Sequence, residues 1–293
     1  MRSTRAALPL AAATAFGGYA LVEPRLYRLV RHRLPMAPGV PPLRILHVSD
    51  THARAGDAAL FRFLRALPGL VGTPDLVVAT GDLIENDGGI DPIVEALALL
   101  EARLGRFYVL GSHDYYQARY QGLTKYFTRS AARVSAPKAD VRRLEGGLGA
   151  KGWVALTNHA AVLESEAGAI RVAGVDDPYL RRHRTDHIER RGDEVAAIAL
   201  THAPDVVSEW LLRGFDLVCA GHTHGGQVRI PLVGAVVTNS TLPSALASGP
   251  HPIGNGWLHV SPGLGTSHFA PIRFLCRPEA TLLELEPSRI GAP

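Results

Sequence analysis

Cysteine is nearly absent from this 293-residue chain, which has two, Cys219 and Cys276. Cys219 lies in an apolar stretch where burial is expected, and Cys276 has no evident partner. Two thiols so placed build no disulfide framework and leave the compartment undecided. Aromatic residues make up 6% of the chain and lysine is scarce. With no aromatic platform alternating with lysine, the pattern that grips single-stranded nucleic acid is excluded, and no nucleic-acid partner is expected. No internal repeat and no extended low-complexity tract occur, which excludes a repeat architecture. The net charge of +4 comes partly from N-terminal arginines, so it says little about any one face.

Long apolar runs are also missing, apart from residues 6–22, which are uncharged and follow Arg2 and Arg5. As a helix this run would reach roughly 25 Å, the short edge of a membrane span. It is rich in alanine and contains Pro9, Gly17 and Gly18. A single N-terminal anchor is the first reading, with a cleaved signal peptide and export, or an interfacial helix, as alternatives. Arg25, Arg28, Arg31 and Arg33 then interleave with Leu26, Tyr27, Leu29, Val30 and Leu34. They suggest either a basic juxtamembrane segment for anionic lipid or a charged surface helix. Pro35, Pro38, Pro41 and Pro42 read as a stiff linker. Residues 1–42 are thus expected to form a membrane segment with its linker, and 43–293 a single catalytic domain. Arginine after the run favours a cytoplasmic domain, though one short loop leaves the side of the membrane open.

Beyond the linker, short β-prone runs alternate with amphipathic stretches, a pattern of the α/β class. Residues 57–67 and 91–104 read as helices, with Asp57 and Asp91 near their starts and Pro92 in the first turn. Strands are expected at 43–48, 76–80, 107–110, 153–156, 161–164, 170–175, 196–200, 216–220, 228–230, 257–260 and 281–285.

Five of those runs end in residues that bind metals: Ser49-Asp50-Thr51-His52, Gly81-Asp82, Gly111-Ser112-His113-Asp114, Thr201-His202 and Gly221-His222-Thr223-His224-Gly225-Gly226. Loops at the carboxyl ends of strands in an open sheet line one crevice, so these distant residues can converge. Mixed carboxylate and imidazole donors suit first-row divalent metals better than Ca²⁺ or Mg²⁺. Asp50, His52, Asp82, His202, His222 and His224 are more than one tetrahedral ion takes. They suit a pair of ions roughly 3.5–4 Å apart, with Asp82 as the shared carboxylate. An extended backbone would point Asp50 and His52, and likewise His222 and His224, to one side.

The ordered series Asp-x-His, Gly-Asp, Gly-x-His-Asp, His, Gly-His-x-His resembles the calcineurin-like metallophosphoesterase superfamily over about residues 43–286. The stretches Gly221-His-Thr-His-Gly-Gly-Gln227 and Gly174-Val-Asp-Asp-Pro178, with the ending from Gly263-Leu-Gly265 to Pro278-Glu279, look most like a bacterial, often membrane-associated branch. That resemblance implies a four-layer αββα sandwich of two mixed sheets flanked by helices. It implies a first metal held by Asp50, His52, Asp82 and His224, and a second held by Asp82, His202, His222 and the residue at 112. His113 would assist the leaving oxygen, and Asp114 would orient its ring. The implied cofactors are two divalent ions, manganese first in vitro and iron or zinc as alternatives. The implied reaction is hydrolysis of a phosphodiester or pyrophosphate by a metal-activated hydroxide, on a small-molecule or lipid-linked envelope substrate. Relatives of that kind include enzymes cleaving a UDP-diacylglucosamine pyrophosphate. Nucleotide or cyclic-nucleotide phosphodiesterase activity is the competing reading, and a weakened membrane-tethered metal-binding module is a third.

The family usually places Asn where Ser112 stands. A water filling the gap is the preferred reading, with Asn86 reaching in or a weak second site as the others. Taken singly, other candidates have plainer readings. His47, His159 and His259 are expected as satisfied core histidines, and His251 and His268 as solvated. The arginines from Arg181 to Arg191 are read first as a solvated helix face with Asp186 and Glu189 as counterions, with a cleft rim that greets an anionic substrate as the alternative.

Overall fold

The computed structural model describes residues 17–118, 136–186 and 188–287. Two six-stranded mixed sheets pack face to face. The first has the order β1(Arg28–Met36), β14(Glu279–Pro287), β2(Leu43–Val48), β3(Leu76–Thr80), β4(Gly105–Val109), β5(Val154–Ala155). The second runs β12(Gly249–Ile253), β13(Gly256–Val260), β9(Leu217–Ala220), β8(Glu194–Leu200), β7(Gly168–Gly174), β6(His159–Ser165). β2, β3 and β4 are parallel, as are β8 and β9. A small hairpin pairs β10(Arg229–Ile230) with β11(Gly234–Ala235).

Alternation along each strand explains the layering. Leu43 and Ile45, Leu76 and Val78, Ala196 and Ile198, and Leu217 and Cys219 point between the sheets. Their neighbours Leu46, Val48, Val77 and Ala79 face the opposite way, onto α1(Ala58–Val71), α2(Ile90–Leu97) and α4(Val141–Ala150). Ala197, Ala199, Val218 and Ala220 meet α5(Val207–Leu212) on the other flank. Strands covered on both faces read as unbroken apolar runs, which is why the sequence shows them so clearly. The four-layer αββα arrangement is therefore present.

Three expectations need correction. Residues 28–36, read as a lipid-facing segment or helix, form edge strand β1, parallel to β14. The arginines on that strand meet acids of β14: Arg28 lies 2.9 Å from Glu279, and Arg33 3.5 Å from Glu286. Leu34, Met36 and Val40 are buried between the sheets, so the sheet takes in residues assigned to the N-terminal segment and linker. α2 stops at Leu97 rather than at 104, because the Arg103 and Leu104 amides donate to the Pro74 and Asp75 carbonyls instead. α1 runs past Pro68 to Val71, closed by the Gly72 amide on the Pro68 carbonyl.

Of the apolar run at 6–22, only 17–22 are described, and they are helical; the rest lies outside the described residues. Among the described residues, no helix is long and apolar enough to cross a membrane. Both cysteines are free and buried.

Candidate metal centre

The five loops after β2, β3, β4, β8 and β9 meet at the carboxyl ends of their strands. Asp50, His52, Asp82, His222 and His224 all adopt left-handed backbone conformations, with φ between 41° and 71°. Such geometry replaces the extended backbone expected from the two-residue spacings. Non-glycine residues there cost about 1–3 kcal/mol each and cluster at functional sites. Asp and His tolerate the region better than most. Space is equally tight: a side chain on Gly221 would collide with Ser49 and Asp50.

One half of the cluster holds Asp50, His52 and His224. His52 Nε2 lies 3.2 Å from His224 Nε2, and His224 Nε2 lies 3.6 Å from Asp50 Oδ1. The other half holds Asp50, Asp82 and His202, again close enough for one ion. Asp82 Oδ2 joins them, 3.7 Å from His52 Nε2 and 3.3 Å from His202 Nε2. The His222 ring packs 5.1 Å from that of His202, and its amide donates to both oxygens of Asp50.

The imidazoles are oriented from behind. His52 Nδ1 pairs with Glu85 Oε2 at 2.7 Å and His202 Nδ1 with the Thr80 carbonyl at 2.8 Å. Each ring thereby turns Nε2 inward, the arrangement metal-ligating histidines use. His202 Nε2 is buried facing Asp82 Oδ2 at 3.3 Å, a pair of ligand atoms that a cation between them would satisfy. This donor set fits divalent transition metals.

Charges in the cluster compensate one another. Burial pushes the Asp82 carboxyl up, but His202, His113 and His52 outweigh it and hold the group well below its usual range. Burial would lower His202, yet Asp82 and Asp50 raise it well above its ordinary value. Burial, then repulsion from His52 and Arg273, lowers His224. His113 and His224 are the partly open members, with side chains 14% and 15% exposed against 1% for His52 and 0% for His202. Substrate must approach from their side.

Asp114 is wholly buried beneath these loops. Its carboxylate accepts from the Leu83, Ile84 and Gly111 amides and so ties two loops together. Burial and Asp82 push it up to about 7. The acid facing the His113 ring is Glu85, with Oε2 3.5 Å from Nδ1. Glu85 is held down to about 2: burial opposes ionisation, but the bond from His52 prevails. Nothing in its sequence context separates it from an ordinary loop acid. Asn86 does not reach in, because its oxygen caps the Gly88 amide at 3.0 Å. Ser112 is buried at the start of a short helix, α3(Ser112–Tyr115), beside His113, whose amide donates to Asp82 Oδ1 at 2.7 Å.

Arg273, also missed, is wholly buried and donates to the carbonyls of Pro262, Gly265 and Cys276, with Nη2 3.5 Å from His224 Nδ1. The described residues of the arginine-rich stretch form no helix, and there Arg182 is engaged by Asp176 and the Tyr115 ring, and Arg190 by Asp216. His47 is buried with both ring nitrogens paired, as expected; His259 is buried but its Nε2 has no hydrogen-bond partner, and His159 is exposed at the start of β6.

Two sheets converging on paired acid–imidazole clusters define a metal-dependent hydrolase of phosphoesters. The chain belongs to the calcineurin-like phosphoesterase family, whose profile matches residues 43–226. It is 27% identical over 296 residues to the uncharacterized metallophosphoesterase YkuE of Bacillus subtilis (strain 168), covering 96% of this chain and 94% of YkuE. Similarity to the phosphodiesterase YaeI of Escherichia coli (strain K12) is 27% over 283 residues, covering 95% and 96% of the two chains. An uncharacterized metallophosphoesterase of Aquifex aeolicus (strain VF5) is 31% identical over 224 residues, 73% of each chain.

Proposed function

We propose that this phosphoesterase cleaves a phosphodiester or pyrophosphate bond of a lipid-linked substrate at a membrane surface. The observation that carries the dinuclear reading is the single Asp82 oxygen facing imidazoles of both clusters. Asp50, His52, Asp82 and His224 would hold one divalent ion, and Asp82, His202 and His222 the other, with a water between Ser112 and the second ion. Bound there, the ions supply Lewis acidity to the phosphoryl oxygens and lower the pKa of a water. With Nδ1 turned toward Glu85, His113 presents Nε2 to the cleft, where it donates to the departing oxygen. Glu85, 3.5 Å from Nδ1, is the acid placed to hold that ring.

The diester preference is supported by similarity to a chain named as a phosphodiesterase. The lipid setting is supported by the surface beside the centre. Immediately after the His224–Gly226 turn, the β10–β11 hairpin exposes Ile230, Leu232, Val233 and Val236. Leu275 flanks the hairpin, and Tyr19, Leu21 and Val22 are exposed on the nearby N-terminal helix, tied in by the Tyr19 contact to Phe274. Contiguous exposed apolar residues mark interaction surfaces. Residues 17–22, the described end of the expected anchor, lie beside this surface.

The test compares Mn²⁺-dependent turnover of a diacyl nucleotide pyrophosphate in mixed micelles with that of a soluble nucleotide pyrophosphate and a cyclic nucleotide. Faster micellar turnover, reduced at least tenfold by Leu232→Glu with Val233→Glu while soluble turnover persists, is the expected result. Faster turnover of the soluble compounds would favour a nucleotide phosphodiesterase, and no turnover of any would favour a weakened binding module.

A further inference from the structure

Beneath the catalytic loops, a separate group of side chains collects where β1 and β14 of one sheet face β13 of the other. His32, His259 and Glu279 each place one ligand atom within 4.8 Å of the other two. We infer that these three residues form a further metal site, for a zinc-type first-row cation, that clips the two sheets together. This reading is independent of the reaction proposed above.

An independent observation points to a ligand. His259 Nε2 is buried with no hydrogen-bond partner, although buried polar atoms are almost always paired. A cation satisfies that lone pair as the protein around it does not. Two imidazoles and one carboxylate, with a position left for water, match the ligand set of open zinc sites. Bonds of about 2.0–2.2 Å require the three donors to close only modestly around the ion. Glu279 retains capacity to bind through Oε1, which accepts from Thr281 and has a second lone pair, whereas Oε2 is met by both Nε and Nη2 of Arg28. His32 is half-buried, which gives the ion an entry route. Burial first, then the neighbouring imidazoles, holds His259 well below its ordinary value, so its ring is neutral, the form that ligates.

A cation on His259 Nε2 also fixes every proton behind it. His259 Nδ1 must then carry hydrogen and donate to His47 Nδ1, 2.8 Å away. His47 Nε2 donates in turn to Thr80 Oγ1 at 2.8 Å, Thr80 to Ser49 Oγ at 2.7 Å, and Ser49 to Asp50 Oδ2 at 2.5 Å. Each group in the series donates once and accepts once, and all the donors point toward Asp50. The clip would thus set the orientation of a carboxylate in the catalytic cluster.

The test uses the full chain, stripped with chelator, reloaded with Zn²⁺ and desalted, with bound metal counted by elemental analysis and native mass spectrometry. The wild type is expected to retain one zinc more than His32→Ala and than Glu279→Gln, both checked for native circular dichroism. In an Asp82→Ala, His222→Ala background, one zinc with an imidazole-rich absorption-edge signature should persist and vanish when His32→Ala is added. Equal zinc content in the wild type and folded His32→Ala would overturn the inference. Should the multiple variants fail to fold, the comparison of wild type with His32→Ala decides alone.

Discussion

Ser112 and His47 show how much single positions carry in this centre. A serine hydroxyl is too short to replace an amide oxygen on a divalent ion, and Asn86 is committed to Gly88. Ser112→Asn is therefore expected to tighten the second metal about tenfold in Mn²⁺ titrations of the stripped protein. Unchanged dependence would place position 112 outside that shell. His47 lies fully buried, and burial lowers its pKa to about 3, against an unfolded value near 6.5. The ring is neutral in the fold, so its share of stability is present above pH 6.5 and lost as pH falls toward 3. Between pH 7 and pH 5, the metal-free wild type should lose about 2 kcal/mol more than His47→Gln in urea unfolding. Parallel losses in both proteins would contradict that assignment. Both residues were visible in the sequence, but their surroundings were not. Glu85 and Arg273 escaped notice because a lone acid or arginine in a loop forms no pattern. The left-handed backbone at five metal-binding positions likewise has no signature in residue type, since Asp and His occupy ordinary turns as readily.

Strand β1 is the element whose reading changed most. The strands bearing metal-binding loops are covered on both faces, so their unbroken apolar runs were legible, and β2 and β3 appear with the expected bounds. An edge strand alternates charged and apolar residues, a pattern that a surface segment after an anchor shares. Only the facing acids of β14, some 250 positions away, distinguish the two. Leu34 and Met36 are 1% and 2% exposed. Burying such side chains contributes roughly 1.5–3 kcal/mol each. A chain starting at residue 40 should thus lose about 3–6 kcal/mol of stability and leave β14 unpaired along one side. Denaturant melts of the 17–293 and 40–293 forms would measure it. Equal midpoints would mean that β1 is dispensable.

At the scale of the whole molecule, the fold brings together loops from both sheets, and neither sheet alone has a complete metal set. Asp50, His52 and Asp82 come from the first sheet, and His202, His222 and His224 from the second. The contact between sheets is therefore a condition of activity as well as of stability. Asp82 is the residue through which the two halves meet, and the most direct measurement removes it. Metal-stripped full-length protein, titrated with Mn²⁺, is assayed on bis-p-nitrophenyl phosphate beside Asp82→Ala. The wild type should turn over the diester only with metal and bind two ions in the catalytic cluster, while folded Asp82→Ala loses at least a thousandfold in rate. Metal-independent hydrolysis, or near-normal turnover by the variant, would contradict a centre built on that shared carboxylate.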